Sequence, residues 1–163
     1  MLKKNLKQLF LLLSFVAVSA LLFNLYSSYK FRNNPISDKI KTKIEHKEYD
    51  LYQLAMQHYN ITQRVPIIIT DKIPSKLFGL ASLDKEKNVK IYLNKKRMKE
   101  SLDYMIEDVL PHEYAHAVIF LQGIYSPENG GHTKEWQDAC IKLGGIKCER
   151  FVNHDDIVFG KIF

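Results

Sequence analysis

The stretch Leu110-Pro111-His112-Glu113-Tyr114-Ala115-His116-Ala117-Val118-Ile119-Phe120-Leu121 decides how this chain is read. Four residues advance an α-helix by about 400°, so His112 and His116 sit on one face, one turn apart. Two imidazoles so placed can reach one metal ion together. Ala115, Val118, Ile119 and Leu121 carry an apolar spacing on to Gly123, so the helix is expected to be largely buried. Buried imidazoles need partners, and a shared cation serves both. Glu113, next to the first ligand, can reach a water at the metal and act as its base.

Two histidines do not complete a catalytic site, which usually has three protein ligands and a water. The spacing that would put a glycine at 119 and a third histidine at 122 is excluded, because those residues are Ile119 and Gln122. His132 follows Gly130-Gly131 at the start of the next helix and is the expected third ligand. Glu135 and Glu128 are the alternatives. His154, among Asn153, Asp155 and Asp156, reads as a solvated turn residue.

Around this centre the pattern alternates helix and strand. Trp136, Ala139, Cys140 and Leu143 follow i, i+3, i+4, i+7, with Thr133 as a cap and Gly144-Gly145 as a stop. Upstream, Met98, Leu102, Met105, Ile106 and Val109 share a helical face that runs into Pro111, where a lost donor is expected to kink the helix. Val65–Ile69 is a β-branched strand. Leu77–Leu83 and Val89–Leu93, joined by the polar turn 84–88, read as a hairpin. From Tyr49, the residues Leu51, Leu54, Ala55, His58 and Tyr59 mark an amphipathic helix, with His58 expected as a hydrogen-bonded core histidine. The class is α+β, a short sheet packed on helices.

Composition narrows the function. A chain of 163 residues, 46% hydrophobic, is one ordinary domain and not a disordered tail. Two cysteines, Cys140 and Cys148, exclude a four-thiolate zinc ribbon; whether they pair is left open. The formal charge of +6 is unevenly spread: Lys3, Lys4, Lys7 and Lys30 stand without an acid in residues 1–30, so the other 133 residues carry only +2. Lys95, Lys96, Arg97 and Lys99 read as a solvated basic face. No aromatic stacking pattern accompanies them, so nucleic acid is not expected as a partner.

Leu9 to Tyr26 is free of charge and long enough to cross a bilayer core as a helix. The apolar run passes beyond Val18-Ser19-Ala20, a passable cleavage site, which favours an uncleaved anchor over a removed signal. The short lysine-bearing tail is costly to translocate, whereas a large C-terminal domain crosses largely regardless of charge. The expected location is a single-pass membrane protein with its domain outside the cytoplasm, on the periplasmic side.

Pro111-His112-Glu113-x-Ala115-His116, then Gly123, then Gly131-His132-x-Lys134-Glu135-Trp136, then Leu143-Gly144, resembles the SprT-like (Spartan-related) zinc metalloproteases. The resemblance covers roughly residues 48–145. It implies a small zincin-like metalloprotease domain that binds Zn²⁺ through His112, His116 and His132, with Glu113 as catalytic base and Trp136 packed beneath the site. Thr133 stands where many members have glycine, and the zinc ribbon of several relatives is absent. The implied organisation is a signal anchor or transmembrane segment at 1–30, a linker at 31–47, a SprT-like metallopeptidase domain at 48–150 and a C-terminal tail at 151–163. The implied function is a membrane-anchored zinc-dependent metalloendopeptidase that hydrolyses protein or peptide substrates with metal-activated water. Tyr125, Lys134 and Tyr114 are candidate oxyanion donors. The alternatives are a DNA-associated protein-repair protease facing the cytoplasm and a non-catalytic membrane-tethered zinc-binding module.

Overall fold

A computed structural model describes residues 2–124, 126 and 128–149. The chain divides into two compact units, residues 1–36 and 37–163. The first is a single helix, α1 (Leu2–Asn33), whose stretch from Asn5 to Asn33 is long and apolar enough to span a membrane. Its apolar side chains are exposed all round, Phe10, Phe15 and Phe23 among them. A helix apolar on every side has no polar face to turn to water.

The second unit is α+β. Helix α2 (Asp38–Tyr59) begins well inside the stretch read from sequence as linker. Ile44, Glu48, Leu51 and Ala55 form its buried stripe. Glu48 is acceptable there because its carboxylate pairs with the Arg64 guanidinium through both oxygens. His58 lies on the exposed side of α2, which corrects its expected place in the core. The buried stripe drifts past it, and the i+7 spacing alone did not reveal that Tyr59 takes the contact instead.

Strands β1 (Ile67–Thr70), β2 (Gly79–Leu83) and β3 (Val89–Asn94) form one sheet in the order β1-β3-β2. The β2–β3 pair is the antiparallel hairpin expected from sequence, in register Ala81↔Ile91. Its turn is set by the Asp84 carboxylate, which accepts from the Glu86 and Asn88 amides. β1 runs parallel to β3, in register Ile67↔Ile91. Central β3 alternates buried Val89, Ile91 and Leu93 with half-buried Lys90 and Tyr92. The fully buried Asn94 ends it, donating to the Pro74 and Leu77 carbonyls and accepting from the Lys96 amide. Arg97 is not part of a merely solvated face: it donates to the Ser75 carbonyl, pairs with Glu100 and lies over the Phe78 ring.

Short helices α3 (Lys95–Met98) and α4 (Leu102–Tyr104) lead into a π-helical turn, Met105–Val109, and then α5 (Leu110–Leu121). The π-helical turn stands just before Pro111, where a kink is expected from sequence. The proline ring would press on the carbonyl four residues earlier and offers it no donor. Widening the preceding turn, with the Leu110 amide bonded to the Met105 carbonyl, accommodates it without breaking the helix. Leu110, Tyr114, Ala115, Ala117 and Val118 are fully buried, and α5 packs on β2, β3, α2 and α6. A 3₁₀ turn (Glu128–Gly131) precedes α6 (Lys134–Lys142). The Tyr59 hydroxyl donates to Asp138, which also pairs with Lys142, so α2 and α6 are clasped at their surface. Cys140 and Cys148 form a disulfide that folds the chain after α6 back onto it.

Candidate metal centre

Three elements supply the centre. α5 presents His112 and His116 one turn apart, immediately after the π-helical turn. The 3₁₀ turn ends at Gly131, whose φ of +84° an L side chain rarely adopts, and delivers His132. Thr133 caps α6, its hydroxyl accepting from the Trp136 amide. That cap fixes where the helix starts, and so where the residue before it points.

His132 Nε2 lies 3.1 Å from His112 Nε2 and 3.3 Å from His116 Nε2. One donor atom from each of the three histidines falls within 4.8 Å of the others. A proton on His132 Nε2 can be directed at only one of its two neighbours at a time. A cation serves all three lone pairs together. Tetrahedral coordination with metal–nitrogen bonds of 2.0–2.1 Å would space its nitrogen ligands by roughly 3.3 Å. The residues present therefore fit a metal ion.

The indole of Trp136 underlies the cluster. Trp136 is 1% exposed. Its ring stacks on His116 at 5.2 Å and meets His112 and His132 edge-on at 4.7 and 4.4 Å. Its Nε1 donates to the His112 carbonyl. The imidazoles are thus held by an apolar floor as well as by their backbones.

Burial keeps His112 and His116 neutral. It lowers His112 to about 4, with His132 adding a smaller effect of the same sign. It lowers His116 to about 3, with His112 and His132 contributing further. Neutral imidazole is the form that ligates a metal. Glu113, also buried, is pushed up to about 8 by burial, opposed by the Ala81 amide, which donates to its Oε2 at 2.9 Å.

The other sequence candidates lie elsewhere. Glu135 is exposed, and its carboxyl is lowered by a hydrogen bond with the Thr133 hydroxyl, so it serves the α6 cap. Tyr114 is fully buried near Val65, Arg64 and Tyr52, which makes it a core residue and not an oxyanion donor. Lys134 is exposed at the start of α6. Tyr125, the Glu128 side chain and His154 lie outside the described residues. The Ala81 amide was missed from sequence, since a backbone donor leaves no residue-type signal.

The model of the SprT-like family matches residues 47–154, about two thirds of the chain. The chain belongs to the SprT-like family. No curated protein and no solved structure matches it.

Proposed function

We propose that this chain is a membrane-anchored zinc metalloendopeptidase acting on protein substrates. The observation that carries the reading is the convergence of three imidazoles from two separate segments, with ligand atoms within 4.8 Å of one another and His132 Nε2 at the spacing of tetrahedral ligands from the other two. His112, His116 and His132 would hold the ion. Three nitrogen donors on a rigid helix and a capped turn suit zinc and leave a position for water and substrate. A bound zinc ion supplies a Lewis acid that acidifies water and polarises the scissile carbonyl.

The chain's own residues do the rest. Glu113 accepts the proton of the attacking water and returns it to the leaving amine. Its side chain is buried, and the Ala81 amide fixes its orientation. Trp136 keeps the imidazoles aligned. The zincin-like arrangement, a helix bearing two ligands beneath a short sheet, belongs to this reading. So does the division into an anchor at 1–30, a linker at 31–47 and a metallopeptidase domain at 48–150.

Residues 9–26 would sit in the bilayer with the domain outside the cytoplasm. The Cys140–Cys148 disulfide supports that side, because such bonds persist in oxidising compartments. It weighs against a cytoplasmic role on DNA-linked proteins. A closed structural zinc would need a fourth protein ligand. Among the described residues no further His, Cys, Asp or Glu joins the three histidines.

The full chain, purified in detergent, is expected to bind one zinc per chain and to cleave casein in a chelator-sensitive manner. Zinc uptake without cleavage of casein or any other unfolded protein would remove the hydrolase reading.

A further inference from the structure

Strand β2 is cut to fit the Glu113 side chain. Gly79 and Ala81 lie two residues apart on the buried face of β2, as strand alternation requires. A Cβ added to Gly79 would stand 2.6 Å from Glu113 Cγ, 2.9 Å from its Oε1 and 3.0 Å from its Cδ. Gly79 is not among the glycines with positive φ, so its backbone does not call for glycine. The space does: a strand glycine here admits the close approach of another group.

The Ala81 amide is available to this carboxylate because of the sheet's parity. The Ile91 amide donates to the Pro66 carbonyl, so that residue of β3 turns its backbone toward the β1 side. Ala81 is the residue opposite Ile91, hence a pair that exchanges no backbone bonds. The Asn94 amide, three residues on, donates to the Phe78 carbonyl and fixes the same phase. Ala81 therefore points its N–H away from β3, at the open edge, where Glu113 Oε2 receives it at 2.9 Å.

We infer that Gly79 and the Ala81 amide are positioning groups for Glu113: the glycine makes room for the carboxylate and the amide fixes one of its two oxygens. The inference rests on the reading of Glu113 as the base. The base is then located by a strand outside the helix that carries it.

A stability cycle in the full chain, with zinc content and casein kinetics beside it, tests this. Gly79→Ala is expected to lower Tm by about 5 °C in the parent, and by less than half that in a Glu113→Ala background. Zinc should remain at one per chain. On labelled casein, kcat should fall at least about 10-fold with KM changed less than about twofold. An equal loss of Tm in both backgrounds overturns the contact. An unchanged kcat in zinc-loaded Gly79→Ala overturns the positioning role. If Gly79→Ala does not fold alone, its rescue by Glu113→Ala supports the contact, and an unfolded double variant overturns it. Ala81→Pro removes the edge amide and no ladder bond, and the same selective loss of kcat is expected. If the parent binds zinc but leaves casein intact, the hydrolase reading fails, while the cycle still decides whether Gly79 accommodates Glu113.

Discussion

The Nε2 atoms of His112 and His132 lie 3.1 Å apart although 20 residues separate them in the chain. A helix brings His116 to the same point by its own repeat. His132 reaches it only because a glycine with φ of +84° turns the backbone and a threonine cap fixes the following helix. A Cβ on Gly131 would also meet the His116 ring at 3.4 Å. The imidazole cluster is therefore a tertiary product, and each imidazole is a separate test of it as a metal site.

His132→Ala should lower zinc affinity by more than about 100-fold, beyond the 10–100-fold typical of outer-shell changes. Far-UV circular dichroism of the metal-free variant should match the parent, because His132 is only half buried at the end of a turn. Zinc retained at one per chain in this variant would show that His132 is not a ligand.

Glu113→Gln should keep zinc and lose turnover by about 10²–10⁴-fold, the usual contribution of a general base. Glutamine keeps the shape and can still accept from the Ala81 amide. Casein cleavage at the parental rate would eliminate Glu113 as the base.

Titration of the metal-free protein should show two opposed limbs. Burial raises the folded Glu113 to about 8 from its ordinary 4.5. Folded chains hold that proton where unfolded chains release it, so its stabilising contribution is full below pH 4.5 and is lost as pH rises toward 8. His112 and His116 are depressed to about 4 and 3 from 6.5. Unfolded chains take those protons first, so stability is lost as pH falls below 6.5. Two histidines outweigh one carboxyl between 4.5 and 6.5, which puts the maximum near pH 6.5. Denaturant melts across pH 4–9 should locate it. In Glu113→Gln the alkaline limb should flatten, leaving the metal-free variant more stable than the parent at pH 8 by on the order of a few kcal/mol.

Much of this was legible in the residues. The one-turn spacing of His112 and His116 needs only helix geometry, and Val89, Ile91 and Leu93 announce a half-buried strand. What escaped were features set by partners distant in sequence. The parallel pairing of β1 with β3 depends on neighbours that no local pattern encodes. The early start of α2 was hidden because Asp38–Lys47 is polar enough to read as linker, while Ile44 alone carries its burial. His58 was misplaced because the spacing of apolar residues does not say which edge of a stripe faces water. The seat of Glu113 on β2 involves a missing side chain and a backbone amide, and composition records neither as chemistry.

Trp136 should govern the metal site without binding metal. Its ring contacts all three imidazoles, and its removal would leave a cavity beneath them. Trp136→Ala is expected to cost about 3–5 kcal/mol of stability and to weaken zinc binding as well. Trp136→Phe should recover part of the stability, losing the bond to the His112 carbonyl and some of the ring's packing. Full zinc affinity in a folded Trp136→Ala protein would refute this support role.

The disulfide offers the last test, joining stability to location. Cys140 and Cys148 are eight residues apart, and closing so short a loop is worth about 2–3 kcal/mol. Gly145 lies inside that loop, and a Cβ there would stand 2.6 Å from Cys140 Sγ and 3.0 Å from Cys148 Sγ. Reduction, or Cys140→Ser with Cys148→Ser, should lower Tm by about 5–10 °C at this chain length. Gly145→Ala should impair oxidation itself. In cells, trapping thiols with a maleimide reagent before lysis should leave both cysteines unmodified unless a reductant is added first. Quantitative labelling without reductant would place the domain in a reducing compartment and overturn its assignment to the outer side of the membrane.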